Sequence, residues 1–110
     1  MISISIYKNA DNMITGFTIE GHANYAEYGS DIVCAAVSAL VINTINSIEH
    51  FTSDKFTLEQ DDKMGLIEFH VVSPLSNNAS LLLNSLALGL SGIEEEYTNK
   101  YIQIKQIKSQ

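Results

Sequence analysis

The stretch GHANYAEYGSDIVCAAVSAL, residues 21–40, separates a strand-like opening from a helix-like continuation, and it also holds the only cysteine of the chain and one of its three histidines. Upstream, Ile2, Ile4 and Ile6 alternate with Ser3 and Ser5, the period of a strand with one buried face. Asn9, Asp11 and Asn12 supply turn chemistry. Met13 to Glu20 is then β-branched and aromatic, with Phe17 and Ile19 on one face and Thr18 and Glu20 on the other, which predicts a hairpin. Gly21 to Ser30 is small, polar and glycine-bounded, a loop longer than most connections in compact domains. Asp31 stands where a helix N-cap belongs, and Val33, Val37, Leu40, Val41, Ile45 and Ile48 follow at helical spacing. Almost every residue from Ile32 to Ile42 is small or apolar, so this part of the helix is expected to be buried.

Downstream, Lys55–Gln60 and Leu66–Val72 alternate around the turn-like DDKMG of Asp61–Gly65, with Phe56, Leu58, Ile67, Phe69 and Val71 as inward candidates. Pro74 and Asn77 precede a second helical run in which Ala79, Leu83, Leu86, Leu90, Ile93 and Tyr97 recur at steps of three and four. Gly89 and Gly92 lower helix propensity there, but permit close approach to a neighbouring backbone. Ile102 and Ile104 mark a last strand over Tyr101–Ile107. The order β-β-α-β-β-α-β predicts an α+β domain over residues 1–110, a five-stranded, mostly antiparallel sheet with two helices packed on one face.

Composition narrows the function. With 110 residues, 45% of them hydrophobic, the chain has material for one continuous core. Thirteen acidic against six basic residues give a formal charge of −7, the wrong sign for gripping a phosphate backbone, so no direct nucleic-acid partner is expected. A single cysteine makes no internal disulfide, and MISISIYKNADN alternates and then turns polar, unlike a secretory leader; both features predict a cytoplasmic protein. The apolar run Ile32–Ile42, interrupted by Cys34 and Ser38, falls short of the ~20 residues a membrane span needs, so no membrane partner is expected.

If Asp31 is the N-cap, Cys34 lies in the first helical turn, where free amides and the positive end of the macrodipole favour a thiolate. His22 stands at the exit of the second strand, and a chain turning from sheet to helix brings both residues to one sheet edge. Asp31, Cys34 and Ser38 share a helix face at i, i+3 and i+7. The other histidines fit less well. His50 follows Cys34 by sixteen residues, about 24 Å of helical rise, and His70 is out of phase with Ile67, Phe69 and Val71, so it is expected to face away from the helices. The scattered histidines and lone cysteine lack paired metal-ligand spacing, so neither a metal nor another cofactor is expected. A third, orienting group is not identified by pattern: Glu20, Asn24 and Asp31 are all near in sequence. Pattern alone leaves three readings of Cys34 open, a packed core residue in a protein-binding module, a redox-sensing thiol, and a nucleophile.

GHA after the second strand, followed by a short loop and GSDIVCAAVSAL, resembles the bacterial ribosomal-processing cysteine protease family, Prp. Gly21, His22, Ala23, Gly29, Asp31, Ile32, Val33, Cys34, Ala35, Ala36, Val37 and Ser38 carry the likeness. The resemblance implies a cytoplasmic, homodimeric protease that removes the N-terminal extension of large-subunit ribosomal protein twenty-seven, a basic substrate to which an acidic enzyme is suited. It also implies that Cys34 is the nucleophile, that His22 is its acid–base partner, and that Asp31 and Ser38 are supporting residues. The loop of residues 23–30 would admit the substrate, with Gly21 and Gly29 as its hinges.

Overall fold

In the computed structural model, which describes residues 1–21, 28–72, 74–97 and 101–108, with only the backbone for 28–31, the elements follow the expected order. They are β1 (Ile2–Lys8), β2 (Ile14–Glu20), α1 (Tyr28–Phe51), β3 (Phe56–Asp61), β4 (Leu66–Val71), α2 (Asn77–Glu96) and β5 (Ile102–Lys108). The β1–β2 turn closes as its residue types dictate: the Asn9 side chain accepts from the Asp11 and Met13 amides, and Asn12 takes a left-handed φ of 64°. The β3–β4 turn repeats the device, with Asp61 Oδ1 accepting from the Lys63 and Met64 amides.

The sheet order is β3-β4-β2-β1-β5, antiparallel throughout except for the parallel β1–β5 pair. Alternation has the predicted effect. Ile2, Ile4, Ile6, Phe17, Ile19, Phe69 and Ile102 are buried and meet the Val33, Val37, Val41, Ile45, Ile48 stripe of α1 and the Ala79, Leu83, Leu86, Leu90 stripe of α2. Phe17 and Phe69, paired across β2 and β4, stack with ring centroids 5.1 Å apart, and Phe56 joins them from β3.

Four expectations are corrected. First, α1 starts at Tyr28, so Asp31 is inside the helix and is not its N-cap. The predicted loop therefore ends before residue 28, and Gly29 is helical. Second, Ile32 and Ile42 are exposed, because α1 presents only one face to the sheet and α2. Counted through the helix to Phe51, its apolar segment reaches twenty residues, enough by length and composition to cross a membrane, although the valine stripe of that segment packs in the core. Third, Leu58 is exposed, because β3 is an edge strand beyond the cover of the helices. Fourth, Gly89 approaches a side chain rather than a backbone, since an added Cβ would lie 2.9 Å from Leu40 Cδ1, and Gly92 approaches nothing within 4 Å.

At the exit of β2, Gly21 has a φ of +113°, and an added Cβ would collide with the Met1 carbonyl oxygen. Both facts demand glycine. Gly21→Ala is expected to destabilise the fold by ~2 kcal/mol, read as a fall in the thermal midpoint.

Asp54, between α1 and β3, accepts a hydrogen bond from the Ser76 amide at 2.8 Å, while the Ser76 hydroxyl caps α2 by accepting from the Ala79 amide at 3.0 Å. Burial raises the Asp54 carboxyl, but hydrogen bonds from Ser76, Thr52 and its own backbone together outweigh that and hold it below its ordinary value of 3.8. A carboxyl that ionises more readily when folded stabilises the protein above its unfolded pKa, and the gain disappears as pH falls through the folded value. Asp54→Ala is expected to lower the thermal midpoint by about 4–8 °C at pH 7, and the gap to the parent should close in melts recorded progressively below pH 3.8.

Candidate active site

The site is built where β2 ends and α1 begins its second turn. Cys34 is the seventh residue of α1 and is half-buried, neither sealed in the core nor free in solvent. Ser38 and Ile42 follow it at i+4 and i+8, and all three line one cleft of about 270 Å³. The far wall is the β3–β4 hairpin end, with Gln60, Asp61, Asp62, Leu66 and Ile67; the floor is Ile2, Ile19 and Val37. Gly21 closes the ring. The backbone immediately before His22 thus borders the same cleft as the thiol.

His22 itself, and most of the predicted loop, Ala23–Glu27, lie outside the described residues. Asp31 is on the α1 backbone one turn before Cys34, and Gly29 is in the first turn. The first-turn argument for Cys34 is corrected by the early start of the helix. The amides left free by the helical ladder belong to the turn that opens at Tyr28, and Cys34 lies beyond it. The thiolate argument from the helix terminus does not survive that shift.

The rival histidines are placed as expected. His70 is on the sheet face opposite the helices, its ring 5.2 Å from that of Tyr7 and its Nε2 3.0 Å from Glu68 Oε1. Tyr7 in turn shares a 2.8 Å hydrogen bond with Thr18 on that outer face. His50 is in the last turn of α1, exposed and edge-on to Phe51. Neither belongs to the cleft lining. Glu20, one of the possible orienting groups, is exposed at the end of β2 and is not among the lining residues either. Among the described residues, no group of three or more His, Cys, Asp or Glu side chains is placed to hold a metal ion.

The hairpin wall was not anticipated. Ile42 was accessible to pattern reasoning, since it continues the Cys34–Ser38 face by one more step of four. Gln60, Asp61, Asp62 and Leu66 were not, because their approach to α1 depends on sheet order rather than on local spacing. The arrangement is a largely apolar cleft whose lining includes Cys34 and two aspartates, suited to a peptide segment with an accessible carbonyl.

Comparison with known proteins agrees with this geometry. Residues 1–103 match the family model described as cysteine protease Prp. A ribosomal processing cysteine protease Prp from Staphylococcus aureus is 39% identical over 99 residues, covering 88% of this chain and 92% of the relative. The crystal structure of an essential ribosomal processing protease Prp from S. aureus in complex with a substrate peptide superposes with a TM-score of 0.90 at 34% identity, over 97% of this chain and 100% of that one. A second S. aureus structure, with a covalently linked product peptide, gives 0.87 at 34% identity over the same shares. With Cys34 half-buried in a peptide-sized cleft and the match running through nearly the whole length, the chain belongs to the Prp family of cysteine proteases.

Proposed function

We propose that this protein, acting through the single domain 1–110, is a cysteine endopeptidase that removes the N-terminal extension of large-subunit ribosomal protein twenty-seven, as a homodimer in the bacterial cytoplasm. The observation that carries the reading is the shared cleft: Gly21 and Cys34 both line it, and His22 is one peptide bond from Gly21. Adjacency in sequence to a residue of the cleft that Cys34 also lines is what supports His22 as the partner of the thiol. The relatives described as ribosomal processing cysteine proteases, and the related structures holding substrate and covalently linked product peptides, support the same reaction class.

In this reaction the Cys34 thiolate attacks the scissile carbonyl, and the C–N bond breaks as His22 gives its proton to the leaving amine. Water then hydrolyses the thioester, with His22 as the base that takes the water proton and Cys34 as the leaving group. Ser38, one turn along α1 on the same wall, is a polar neighbour of the reacting centre, and Asp31 is a supporting residue one turn before it. Gly21, in a left-handed conformation at the end of β2, and Gly29, inside the first turn of α1, are the two hinge positions of this reading. The apolar floor accepts aliphatic or aromatic side chains, while Asp61 and Asp62 in the lining, on a chain of charge −7, favour a basic substrate.

Incubation with the unprocessed ribosomal protein tests the assignment. Cys34→Ala is expected to abolish cleavage, and His22→Ala to slow it by about 10²–10⁴-fold, each with an unchanged thermal midpoint. Processing that survives Cys34→Ala would sink the assignment, whereas a His22→Ala variant that melts early would make that histidine structural. A binding module with a packed cysteine predicts undiminished substrate association and no cleavage by the parent.

A further inference from the structure

β3 is an edge strand, and half of its backbone hydrogen-bonding groups face away from the sheet. The Val72 amide donates to the Lys55 carbonyl at 2.7 Å, and Phe56–Asp61 continues that register on β4 without a bulge. Antiparallel pairs alternate between those that exchange hydrogen bonds and those that do not. Thr57, Glu59 and Asp61 therefore bond to β4, while the N–H and C=O of Phe56, Leu58 and Gln60 point outward along the free edge. Such edges are commonly blunted by proline, a bulge, lysine or a charge on the inward face. β3 has none of these within its six residues: the inward side chains are Phe56, Leu58 and Gln60, and its two charges, Glu59 and Asp61, alternate with them. Two apolar side chains on this side of the molecule lack cover, Leu58 at 39% exposure and Ile42 at 49%.

We propose that the substrate segment on the C-terminal side of the scissile bond binds as a sixth strand, antiparallel to β3, along this free edge. Continuity with the cleft selects the occupant. Gln60 and Asp61, at the end of β3, line the same cleft as Cys34. A strand antiparallel to β3 therefore starts at the cleft and runs toward Phe56, so a peptide whose carbonyl is presented to Cys34 sends its C-terminal side along the edge. Charge selects the same occupant. β3 carries only acids, with Asp62 next to them, whereas the opposite edge, β5, carries only Lys105 and Lys108. A basic polypeptide is drawn to the first and repelled by the second. A second copy pairing β3 with β3 would set acidic strands side by side. Main-chain bonds to Phe56, Leu58 and Gln60 supply affinity, and alternate side chains of the added strand cover Leu58 and Ile42, which favours apolar residues at every second position. The identity of the occupant rests on the peptidase reading above; the free edge does not.

Fluorescence anisotropy with the full chain carrying Cys34→Ala tests it, using two synthetic peptides that span the cleavage junction of the ribosomal protein. One ends just after the scissile bond, and the other continues for the length of β3, six residues. The longer peptide is expected to bind at least about tenfold more tightly. N-methylation along its added segment is expected to weaken binding about tenfold at every second residue and to have no effect at the residues between. Leu58→Pro removes one outward N–H that the β3–β4 ladder does not use, a place where an edge strand tolerates proline, and is expected to erase the preference for the longer peptide. Equal affinity for the two peptides, N-methyl effects without alternation, or a preference retained in Leu58→Pro would each overturn it, the last with a halved sedimenting mass giving the edge to a second copy. The N-methyl series needs no change at β3, so it decides even where Leu58→Pro fails to fold. Cleavage of the longer peptide by the parent reports separately on the peptidase reading.

Discussion

The site depends on how the chain leaves β2. Gly21 sits at a φ that side chains rarely adopt, with the Met1 carbonyl oxygen filling the space of a Cβ. That close contact ties the exit of the second strand to the beginning of the first, so the segment that follows departs from a fixed point on the sheet. On the other side of the cleft, the valines at 33, 37 and 41 hold α1 on the same sheet. With both ends anchored, the backbone before His22 and the sulfur of Cys34 border one space. The described borders of the cleft are thus held by packing on rigid elements.

The division of α1 into a buried and an exposed stripe explains its composition. A helix so rich in small and apolar residues suggests complete burial, but Val33, Val37, Val41, Ile45 and Ile48 alone supply the core face. Cys34, Ser38 and Ile42 are displaced from that stripe and form the wall of the cleft. Cleft lining and core packing are met on adjacent faces of one helix. Thr44, buried beside the valines, satisfies its hydroxyl by donating to the Leu40 carbonyl at 2.8 Å.

Much of this was legible in the residues. Period-two alternation located all five strands, although of β3 only Phe56 packs against the core, and steps of three and four located both helices. Sheet order was less accessible. The edge position of β3 and the parallel β1–β5 pair are set by where α1 and α2, respectively, deliver the chain, and neither periodicity nor turn chemistry encodes that delivery. Leu58 was misjudged for this reason: alternation marks it as inward, but at an edge there is no helix for it to meet. The start of α1 was misjudged because Gly29, Ser30 and Asp31 are common before helices and at their caps, so local preference put the first helical residue at Ile32, four residues after Tyr28. Within the site, Cys34 and Ser38 were found from helical spacing, but the hairpin wall came from a contact between segments distant in sequence. His50 and His70 were correctly set aside, by helical rise and by strand phase.

The central claim is that Cys34 is an activated thiol and not a packing residue. Its half-buried position beside an open cleft distinguishes it from cysteines sealed in cores, but activation is a matter of rate. The most direct measurement is the rate of alkylation of Cys34 by iodoacetamide across pH 5–9, in the folded parent and in His22→Ala. The account predicts rapid labelling of the folded parent that is lost on His22→Ala. Labelling that requires unfolding, or that is equally fast in both proteins, would contradict it.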